Sequence, residues 1–274
     1  MNPQQGCIFC FNKPYTLTSF RVVSRVRGIL NRRLGIRTLK VGHAGTLDPL
    51  ATGVLIVCTG KATKEIDRLQ AGTKEYIATM RLGATTPSFD RETEVDATYP
   101  TSHITRQQVE EVLKRFLGRI EQVPPSFSAV KVDGKRAFKL ARQGEEVELK
   151  PKVLVIDEIE LLDAQLDEPA PDAEMPGAVC IKNLSEEDQQ ALQSANTLHA
   201  TMASRQQFPA ITLRIVCSKG TYIRALARDI GEALGSGAYL TALCRTRIGE
   251  YTLEQCRDIT TFEQWVDSVE IQHS

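Results

Sequence analysis

The glycine-rich segment KVGHAGTLDPLATGVL, residues 40–55, is the feature that most constrains how this chain can fold. Its three glycines, two threonines and one proline enforce a tight loop around Asp48. Pro49 lacks an N–H and has a fixed φ, so it holds the neighbouring backbone in a defined extended geometry. Such a loop either aims the Asp48 carboxylate at a ligand or uses it to cap the following turn.

Periodic patterns of apolar residues surround this loop. Helical spacing predicts helices that begin at Thr18 or Ser19, 61, 105 and 221 and end near Gly35, 69, Gly118 and 234. Alternation and short apolar runs predict strands at 5–12, 54–58, 74–83, 145–149, 153–162 and 210–217, and Asp133-Gly134 predicts a hairpin turn. Helices and strands interleave without a βαβ rhythm. We therefore predict an α+β fold with a mixed, largely antiparallel sheet flanked by helices.

Length and composition limit the class of protein. A chain of 274 residues with 42% hydrophobic residues can form one large domain or two small ones. No apolar run approaches the ~20 residues of a membrane span, and the start MNPQQG lacks the features of a signal peptide. We therefore expect a soluble cytoplasmic protein whose seven cysteines are reduced.

The charged residues are segregated along the chain, although they sum to zero. Residues 1–81 hold 13 Lys and Arg against 4 Asp and Glu, whereas residues 157–190 hold 11 acidic residues and one lysine. This distribution indicates either a basic face for phosphates beside a separate acidic segment, or simply two solvated surfaces. The acidic, proline-bearing stretch at about 164–208 is interpreted as an insertion in the fold.

Two further motifs fail on their spacing. Cys7 and Cys10 form a lone CxxC without a second pair of ligands, which argues against a zinc or redox site. Six residues separate Gly53 from Gly60-Lys61, and Ala62 stands where a phosphate-binding P-loop needs Ser or Thr. The sequence therefore predicts no metal site and no NTPase.

Several ordered motifs make the chain resemble the TruB type of tRNA pseudouridine synthase. Residues 42–53, GHAGTLDPLATG, match the family's GHAGTLDPxATG loop, with Asp48 at the position of its catalytic aspartate. The resemblance continues through KEY at 74–76, QVPPSFSA at 122–129 with Lys131, CSKGTYIR at 217–224 and LCRTRIG at 243–249. It covers most of residues 8–249 outside the acidic stretch.

The resemblance implies an enzyme that isomerises uridine to pseudouridine at position 55, in the T loop of tRNA, without metal or cofactor. Residues 1–250 are then expected to form one catalytic domain of the pseudouridine synthase fold, with an insertion at about 164–208. Residues 251–274 form a short C-terminal tail, too short for the RNA-binding PUA domain that many relatives append. The expected partner is the T arm of tRNA, and the expected state is a monomer.

The resemblance assigns three catalytic residues. Asp48 is the nucleophile and attacks either the ribose C1′ or the uracil C6; both routes need an ionised carboxylate. Arg224 matches the arginine that pairs with this aspartate and keeps it ionised; alternatively, it reaches solvent from its helix. Tyr76 matches the residue that stacks on the flipped uracil and is a candidate for removing the C5 proton; alternatively, it is a core tyrosine.

The resemblance also assigns substrate contacts. His43 corresponds to the histidine that fills the gap left by the flipped base; alternatively, it is a hydrogen-bonded structural residue. Tyr222 corresponds to a substrate-contacting tyrosine and Leu243 to a pocket-lining leucine; alternatively, each is an ordinary packing residue. The candidate phosphate contacts are Lys61, Lys64, Arg245 and Arg247.

Two segments depart from the family pattern. Thr16 stands where the family's KPxGxTS has its glycine, which puts the local turn in question. Residues 85–90 replace a more usual acidic, glycine-containing run, so this region is expected to contact RNA differently.

Two rival functions would use the same residues. A non-catalytic RNA-binding protein would bind RNA without isomerising it. A nucleoside hydrolase or glycosylase with a carboxylate nucleophile would release free uracil. Analysis of the product distinguishes these alternatives from a synthase.

Overall fold

The computed structural model of this chain describes residues 1–128, 130–132, 134–145, 147–166 and 208–271. The acidic insertion predicted at about 164–208 therefore lies almost wholly outside the described residues. Among the helices that the structure describes, none has both the length and the apolar character needed to cross a membrane.

The described residues form fourteen strands, numbered here in chain order. They are β1 (Ile8–Lys13), β2 (Val41–Ala44), β3 (Thr52–Thr59), β4 (Lys74–Leu82), β5 (Ala84–Thr85), β6 (Ala97–Thr98), β7 (Gly118–Gln122), β8 (Lys131–Val132), β9 (Lys135–Arg136), β10 (Lys152–Gln165), β11 (Ala210–Cys217), β12 (Ala238–Ile248), β13 (Tyr251–Thr252) and β14 (Arg257–Asp258). The α-helices of the same residues span Ser19–Leu34, Ile66–Ala71, Arg106–Lys114, Ala137–Ala141, Ile223–Ala233 and Phe262–Ser268.

Ten of the described strands form one sheet. Hydrogen-bonded neighbours follow the order β14, β1, β3, β12, β4, β11, β10 and β7, while β2 pairs with β3 and β13 pairs with β12. The pairs of β1 with β14 and of β12 with β3 are parallel. Antiparallel pairing joins β1 to β3, β2 to β3, β12 to β13, β10 to β11 and β10 to β7. The predicted α+β class with a largely antiparallel sheet is therefore confirmed.

The chain divides into two compact units, and the division falls inside β4 and β12. Of the described residues, the first unit contains 1–76 and 243–271, and the second contains 77–166 and 208–242.

The helix Ser19–Leu34 of the first unit begins and ends where its sequence predicts. Thr18 Oγ1 accepts a hydrogen bond from the Arg21 N–H at 3.1 Å, which satisfies one of the unpaired donors at the start of the helix. Gly35 ends the helix with a φ of 65°, a left-handed conformation that glycine adopts without strain. The apolar face of the helix packs into a core cluster whose members include Val22, Val26, Leu30, Phe9, Phe11 and Phe262.

The second unit has β4, β11, β10 and β7 as adjacent strands. The strand predicted at 210–217 is confirmed as β11, and the capping box predicted at Thr105 and Gln108 is present at the start of the helix Arg106–Lys114. The hairpin predicted around Asp133-Gly134 is confirmed by the antiparallel pair of β8 and β9, where Lys131 lies opposite Arg136, although Asp133 itself lies outside the described residues.

Four element predictions are wrong in extent or type. The helix predicted to begin at 61 is an α-helix only from Ile66, because Gly60–Glu65 form a 3-10 helix. Residues 41–44 were predicted as loop but form β2, because they pair with β3. The helix predicted up to Gly118 ends at Lys114, since Gly118 already pairs with β10 as the first residue of β7. At the predicted strand 145–149, residues 145 and 147–149 are not in a strand, and the Glu145 N–H donates to the Leu140 carbonyl at 3.1 Å at the end of the preceding helix.

Candidate active site

Asp48 lies in the loop that connects β2 to β3. The two strands pair antiparallel up to Ala44 opposite Ile56, so residues 45–51 are the connection of a hairpin. The Ala51 N–H donates to the Asp48 carbonyl at 3.1 Å, which closes a tight turn around Pro49. The Asp48 side chain is partly exposed. The loop therefore presents a carboxylate at the surface of the first unit.

Ser19 fixes the residue before Asp48. Its hydroxyl donates to the Leu47 carbonyl at 3.1 Å and accepts from the Leu47 N–H at 2.9 Å. Both Ser19 and Leu47 are buried. Since one hydroxyl satisfies both backbone groups of Leu47, the start of the helix Ser19–Leu34 holds the loop in one conformation.

Lys13 fixes the residue after Asp48. This lysine at the end of β1 is fully buried, and its Nζ donates to the carbonyls of Pro14 at 2.8 Å, Leu17 at 2.6 Å and Pro49 at 3.1 Å. Burial lowers the pKa of Lys13 to about 7, while the negative charge of Asp48 opposes that shift. In its charged form the ammonium has three donors, which match the three carbonyls.

Arg245 holds the base of the loop. Its guanidinium is buried and donates from Nε to the Val54 carbonyl at 2.9 Å and from its two terminal nitrogens to the carbonyls of Gly45 at 3.0 Å and Thr46 at 3.4 Å. The sequence-based prediction that Arg245 contacts phosphate is therefore wrong. Sequence alone does not distinguish a buried arginine in a basic motif from an exposed one.

Tyr76 and Leu243 lie on the strands that continue the sheet from this hairpin. Leu243 is on β12, which runs parallel to β3 with Cys244 opposite Thr52 at the end of the loop. Tyr76 is on β4, the next strand after β12, and both side chains are buried. Thr246 Oγ1 donates to the Glu75 carboxylate at 2.8 Å and joins the two strands beside Tyr76.

His43 lies on β2, opposite Val57. Burial lowers the pKa of its partly exposed imidazole, and the positive charge of Arg245 lowers it further. Among the described residues, no hydrogen-bond partner is found for its Nδ1 atom, although that atom is buried. His43 is therefore a neutral ring near pH 7, and at Nδ1 it is not the hydrogen-bonded structural histidine of the alternative interpretation.

Arg224 of the second unit is buried, so the alternative that it reaches solvent from its helix is wrong. Its guanidinium donates to the carbonyls of Ser88 at 3.1 Å and Phe127 at 2.9 Å. Arg224 Nε lies 3.5 Å from Asp90 Oδ2, and the two side chains are 4% and 8% exposed. The guanidinium therefore has a fixed orientation within its unit.

Asp90 is a residue of the site region that the sequence analysis did not identify. Its Oδ1 accepts from Ser88 Oγ at 2.6 Å and from the Glu92 N–H at 2.9 Å, in a turn where Phe89 has a positive φ of 59°. The available signal was the carboxylate at the end of the segment 85–90, which had been noted only as a departure from the family pattern.

Tyr222 is held through its backbone. It occupies the position before the helix Ile223–Ala233, where its N–H donates to Gln122 Oε1 at 2.9 Å and its carbonyl accepts from Gln122 Nε2 at 3.1 Å. Gln122 is buried, so its amide is committed to this pair. The Tyr222 side chain itself remains partly exposed.

Thr16 preserves the turn that the missing glycine put in question. It has a φ of 69°, in the left-handed region where glycine is the usual residue. The turn is kept at the cost of backbone strain in a β-branched residue.

The structure thus places four predicted site residues in the first unit: His43, Asp48, Tyr76 and Leu243. The other two, Tyr222 and Arg224, belong to the second unit.

Of the remaining predicted phosphate contacts, Lys61 bonds to Gln5 at 2.6 Å and Arg247 lies 3.6 Å from Glu75. In the described ranges, no group of three or more His, Cys, Asp or Glu side chains is arranged to hold a metal ion.

Two family domains cover most of the chain. Residues 31–176 match the TruB family pseudouridylate synthase N-terminal domain, and residues 224–273 match the tRNA pseudouridylate synthase B C-terminal domain. A protein of Bacteroides thetaiotaomicron named tRNA pseudouridine synthase B is 57% identical over 273 residues, which are 100% of this chain and 98% of that protein. One of the same name from Flavobacterium johnsoniae is 41% identical over 96% of this chain and 99% of its own.

Solved structures agree on the fold. A chain of a Cbf5-Nop10-Gar1 complex superposes with a TM-score of 0.58 at 26% identity, covering 98% of this chain and 58% of that chain. A chain of an H/ACA RNP bound to a substrate RNA gives a TM-score of 0.57 at 23% identity, covering 98% of this chain and 57% of its own. The present chain thus spans a little more than half of each solved chain. From the two family domains and the full-length relatives, the chain belongs to the TruB family of pseudouridylate synthases.

Proposed function

We propose that this chain isomerises uridine to pseudouridine at position 55 in the T loop of tRNA, with Asp48 as the nucleophile. The family and the name shared by its full-length relatives support a tRNA uridine as the substrate. The position in the tRNA and the roles of individual residues are part of the proposal.

The observation that carries the proposal is the way the Asp48 loop is held. Buried side chains fix the backbone on both sides of the aspartate: Ser19 at Leu47 and Lys13 at Pro49. The carboxylate between them is partly exposed. A nucleophile that keeps one direction reacts faster, because less entropy is lost when the reacting atoms meet.

The reaction needs no other reactant. The C1′–N1 bond breaks, the uracil turns over, a C1′–C5 bond forms, C5 loses a proton and N1 gains one. Product and substrate therefore contain the same atoms. Asp48 forms a transient bond to either C1′ or C6 and is released when the new glycosidic carbon bond is complete, and both routes use its ionised form.

Tyr76, Leu243 and His43 serve the flipped nucleotide in this proposal. A uridine must leave its stack to reach Asp48, which costs a few kcal/mol that contacts in the site must offset. Tyr76 stacks on the extruded uracil, Leu243 lines the pocket, and the neutral ring of His43 stacks in the gap left in the RNA. A ring with a lowered pKa enters the RNA without carrying a charge into the stack.

Arg224 and Tyr222 complete the proposal. The pairing of Arg224 with Asp48 stays a prediction that rests on the family motif. Its support is that the Arg224 guanidinium is buried and oriented by backbone carbonyls and Asp90, as a residue that stabilises a nucleophile needs to be. Tyr222 precedes Arg224 directly and is positioned by Gln122 for substrate contact.

The proposal is tested by product analysis on unmodified tRNA transcript without metal or nucleotide. We expect pseudouridine at position 55 from the wild type and none from Asp48→Asn. Asp258→Asn is the matched control, since it makes the same carboxylate-to-amide change in β14, where Asp258 Oδ1 accepts from the Thr260 N–H at 2.7 Å. Free uracil would indicate a glycosylase, and tight binding without product from the wild type would indicate an RNA-binding protein.

Tyr76→Phe separates the two roles given to Tyr76. Phenylalanine keeps the stacking surface and removes the phenolic hydroxyl, so a normal affinity for tRNA with a slower rate is expected if Tyr76 transfers a proton. An unchanged rate would leave stacking as its role.

A further inference from the structure

The hydrogen bonds of Arg245 to the Asp48 loop have no part in the proposed reaction steps. Its side chain is 1% exposed, among the most buried of the large side chains in the described chain. Two of its hydrogen bonds reach Gly45 and Thr46, which precede Asp48, and the third reaches Val54 beyond it. One guanidinium thus joins both arms of the hairpin that carries Asp48.

The backbone of Arg245 fixes the same hairpin. Arg245 lies opposite Gly53 in the parallel pair of β12 with β3. Gly53 has a φ of 103°, and a Cβ atom at this position would lie 2.2 Å from the Arg245 carbonyl oxygen. Only glycine allows the approach, so the side chain and the main chain of Arg245 both define where the loop ends.

We propose that Arg245 is a positioning residue of this enzyme, which holds residues 45–54 so that the Asp48 carboxylate keeps the direction required for attack. The inference rests on the proposed role of Asp48. It assigns Arg245 no contact with tRNA phosphate and no contact with the reacting atoms.

The guanidinium suits this task better than another side chain. Its donors form a rigid planar fork, and here three of them meet three carbonyls that lie in different directions. Lysine has a single nitrogen, so its donors diverge from one point and do not reproduce the three nitrogens that the guanidinium spreads over a plane. The charge of Arg245 also acts on the other groups of the loop, as shown by its lowering of the pKa values of His43 and Lys13.

The first experiment compares Arg245→Met and Arg245→Lys with the wild type in steady-state kinetics. We expect kcat to fall roughly 100-fold in Arg245→Met, because a nucleophile displaced by about 1 Å loses that much rate. The KM for tRNA is expected to stay within about threefold, since the residue does not touch the RNA. Arg245→Lys is expected to rescue only a small part of kcat. A large rise in KM with unchanged kcat would overturn the proposal in favour of phosphate binding.

A matched control separates positioning from loss of stability. Val266→Ala removes buried apolar volume from the core cluster under the helix Phe262–Ser268, away from the loop. It is expected to lower the thermal midpoint while leaving kcat unchanged. If Val266→Ala and Arg245→Met lost kcat equally at equal stability, Arg245 would be a structural residue only.

Hydrogen exchange tests the positioning without using the reaction. In Arg245→Met, amides of residues 45–54 are expected to exchange about tenfold faster, whereas those of β1 keep their protection. Unchanged exchange in the loop would overturn the proposal. Hydrogen exchange tests the role of Arg245 even if the wild type forms no pseudouridine. In that case the proposed function fails, and the exchange rates of residues 45–54 alone show whether Arg245 holds the loop.

Discussion

Two tight loops of this enzyme each contain an aspartate, and they treat the carboxylate in opposite ways. In the first unit, buried side chains bind the backbone around Asp48 and leave its side chain partly exposed. In the second unit, the Asp90 carboxylate itself is buried and accepts hydrogen bonds from Ser88 and Glu92. In the Asp48 loop, other side chains fix the backbone beside the carboxylate. In the Asp90 loop, the carboxylate itself binds the backbone and side chains of its turn.

The difference teaches how a nucleophile can be told from a structural acid. A carboxylate that satisfies its own turn is committed to that turn, as Asp90 is when it also approaches Arg224. At Asp48 the positional work is done by Ser19, Lys13 and Arg245 through carbonyls and N–H groups.

The largest expected effect is that of Asp48→Asn on catalysis. Removal of the nucleophile is expected to lower the single-turnover rate by roughly 10⁴-fold or more, with the affinity for tRNA within about threefold. The bonds that Ser19 makes to the Leu47 backbone and Lys13 makes to the Pro49 carbonyl are expected to persist, because their acceptors and donor on the loop are main-chain groups. Quench-flow assays with a tRNA-binding titration measure both quantities, and a residual rate above about 1% would contradict the role of Asp48.

A second effect concerns the pKa of Lys13, which donates to the Pro49 carbonyl of the Asp48 loop. Its ordinary pKa is 10.5 and its folded pKa is about 7, so between these values the unfolded chain binds a proton that the folded chain releases. The free energy of unfolding of the wild type relative to Lys13→Met is therefore expected to rise with pH, by at most about 1.4 kcal/mol per pH unit. Urea unfolding at pH 7.5, 8.5 and 9.5 measures it. A difference that stays constant or falls with pH would show that the Lys13 pKa is not lowered.

Asp90→Asn is expected to have a smaller effect on the rate than Asp48→Asn. The amide keeps the size of the side chain but removes the charge beside Arg224, so kcat is expected to fall roughly 10- to 100-fold. The thermal midpoint is recorded in parallel to show that the turn at Phe89 persists. Equal losses in Asp48→Asn and Asp90→Asn would remove the distinction between the two loops.

The smallest expected effect is a gain of stability in Thr16→Gly. Glycine relieves the positive φ of Thr16, although it adds freedom to the unfolded chain and removes the bond from Thr16 Oγ1 to the Tyr15 carbonyl. We expect a net stabilisation of about 0.5–1 kcal/mol with unchanged kcat. Differential scanning calorimetry measures it, and a lower thermal midpoint would show that the hydroxyl contact outweighs the strain.

Local patterns in the sequence determined much of this protein. Thr18 and Gly35 delimit a helix because capping and chain reversal are decided by neighbouring residues, and the alternation at 210–217 is a property of the strand itself. The fold class followed from such elements. The motif around Asp48, together with the ordered motifs that follow it, identified the family, which the full-length relatives then confirmed.

Tertiary structure decided which side chains are buried and what they hold. The burial and partners of both residues depend on distant parts of the chain: Arg245 bonds to Gly45, about 200 positions away, and Asp90 approaches Arg224, more than 130 positions away. The sequence therefore indicated a phosphate contact at Arg245 and did not indicate Asp90. The sequence of a basic motif does not show whether its arginine faces solvent or the carbonyls of a loop. Only the packing of β12 against β3 distinguished the two, since desolvation commits a buried cation to the acceptors that surround it.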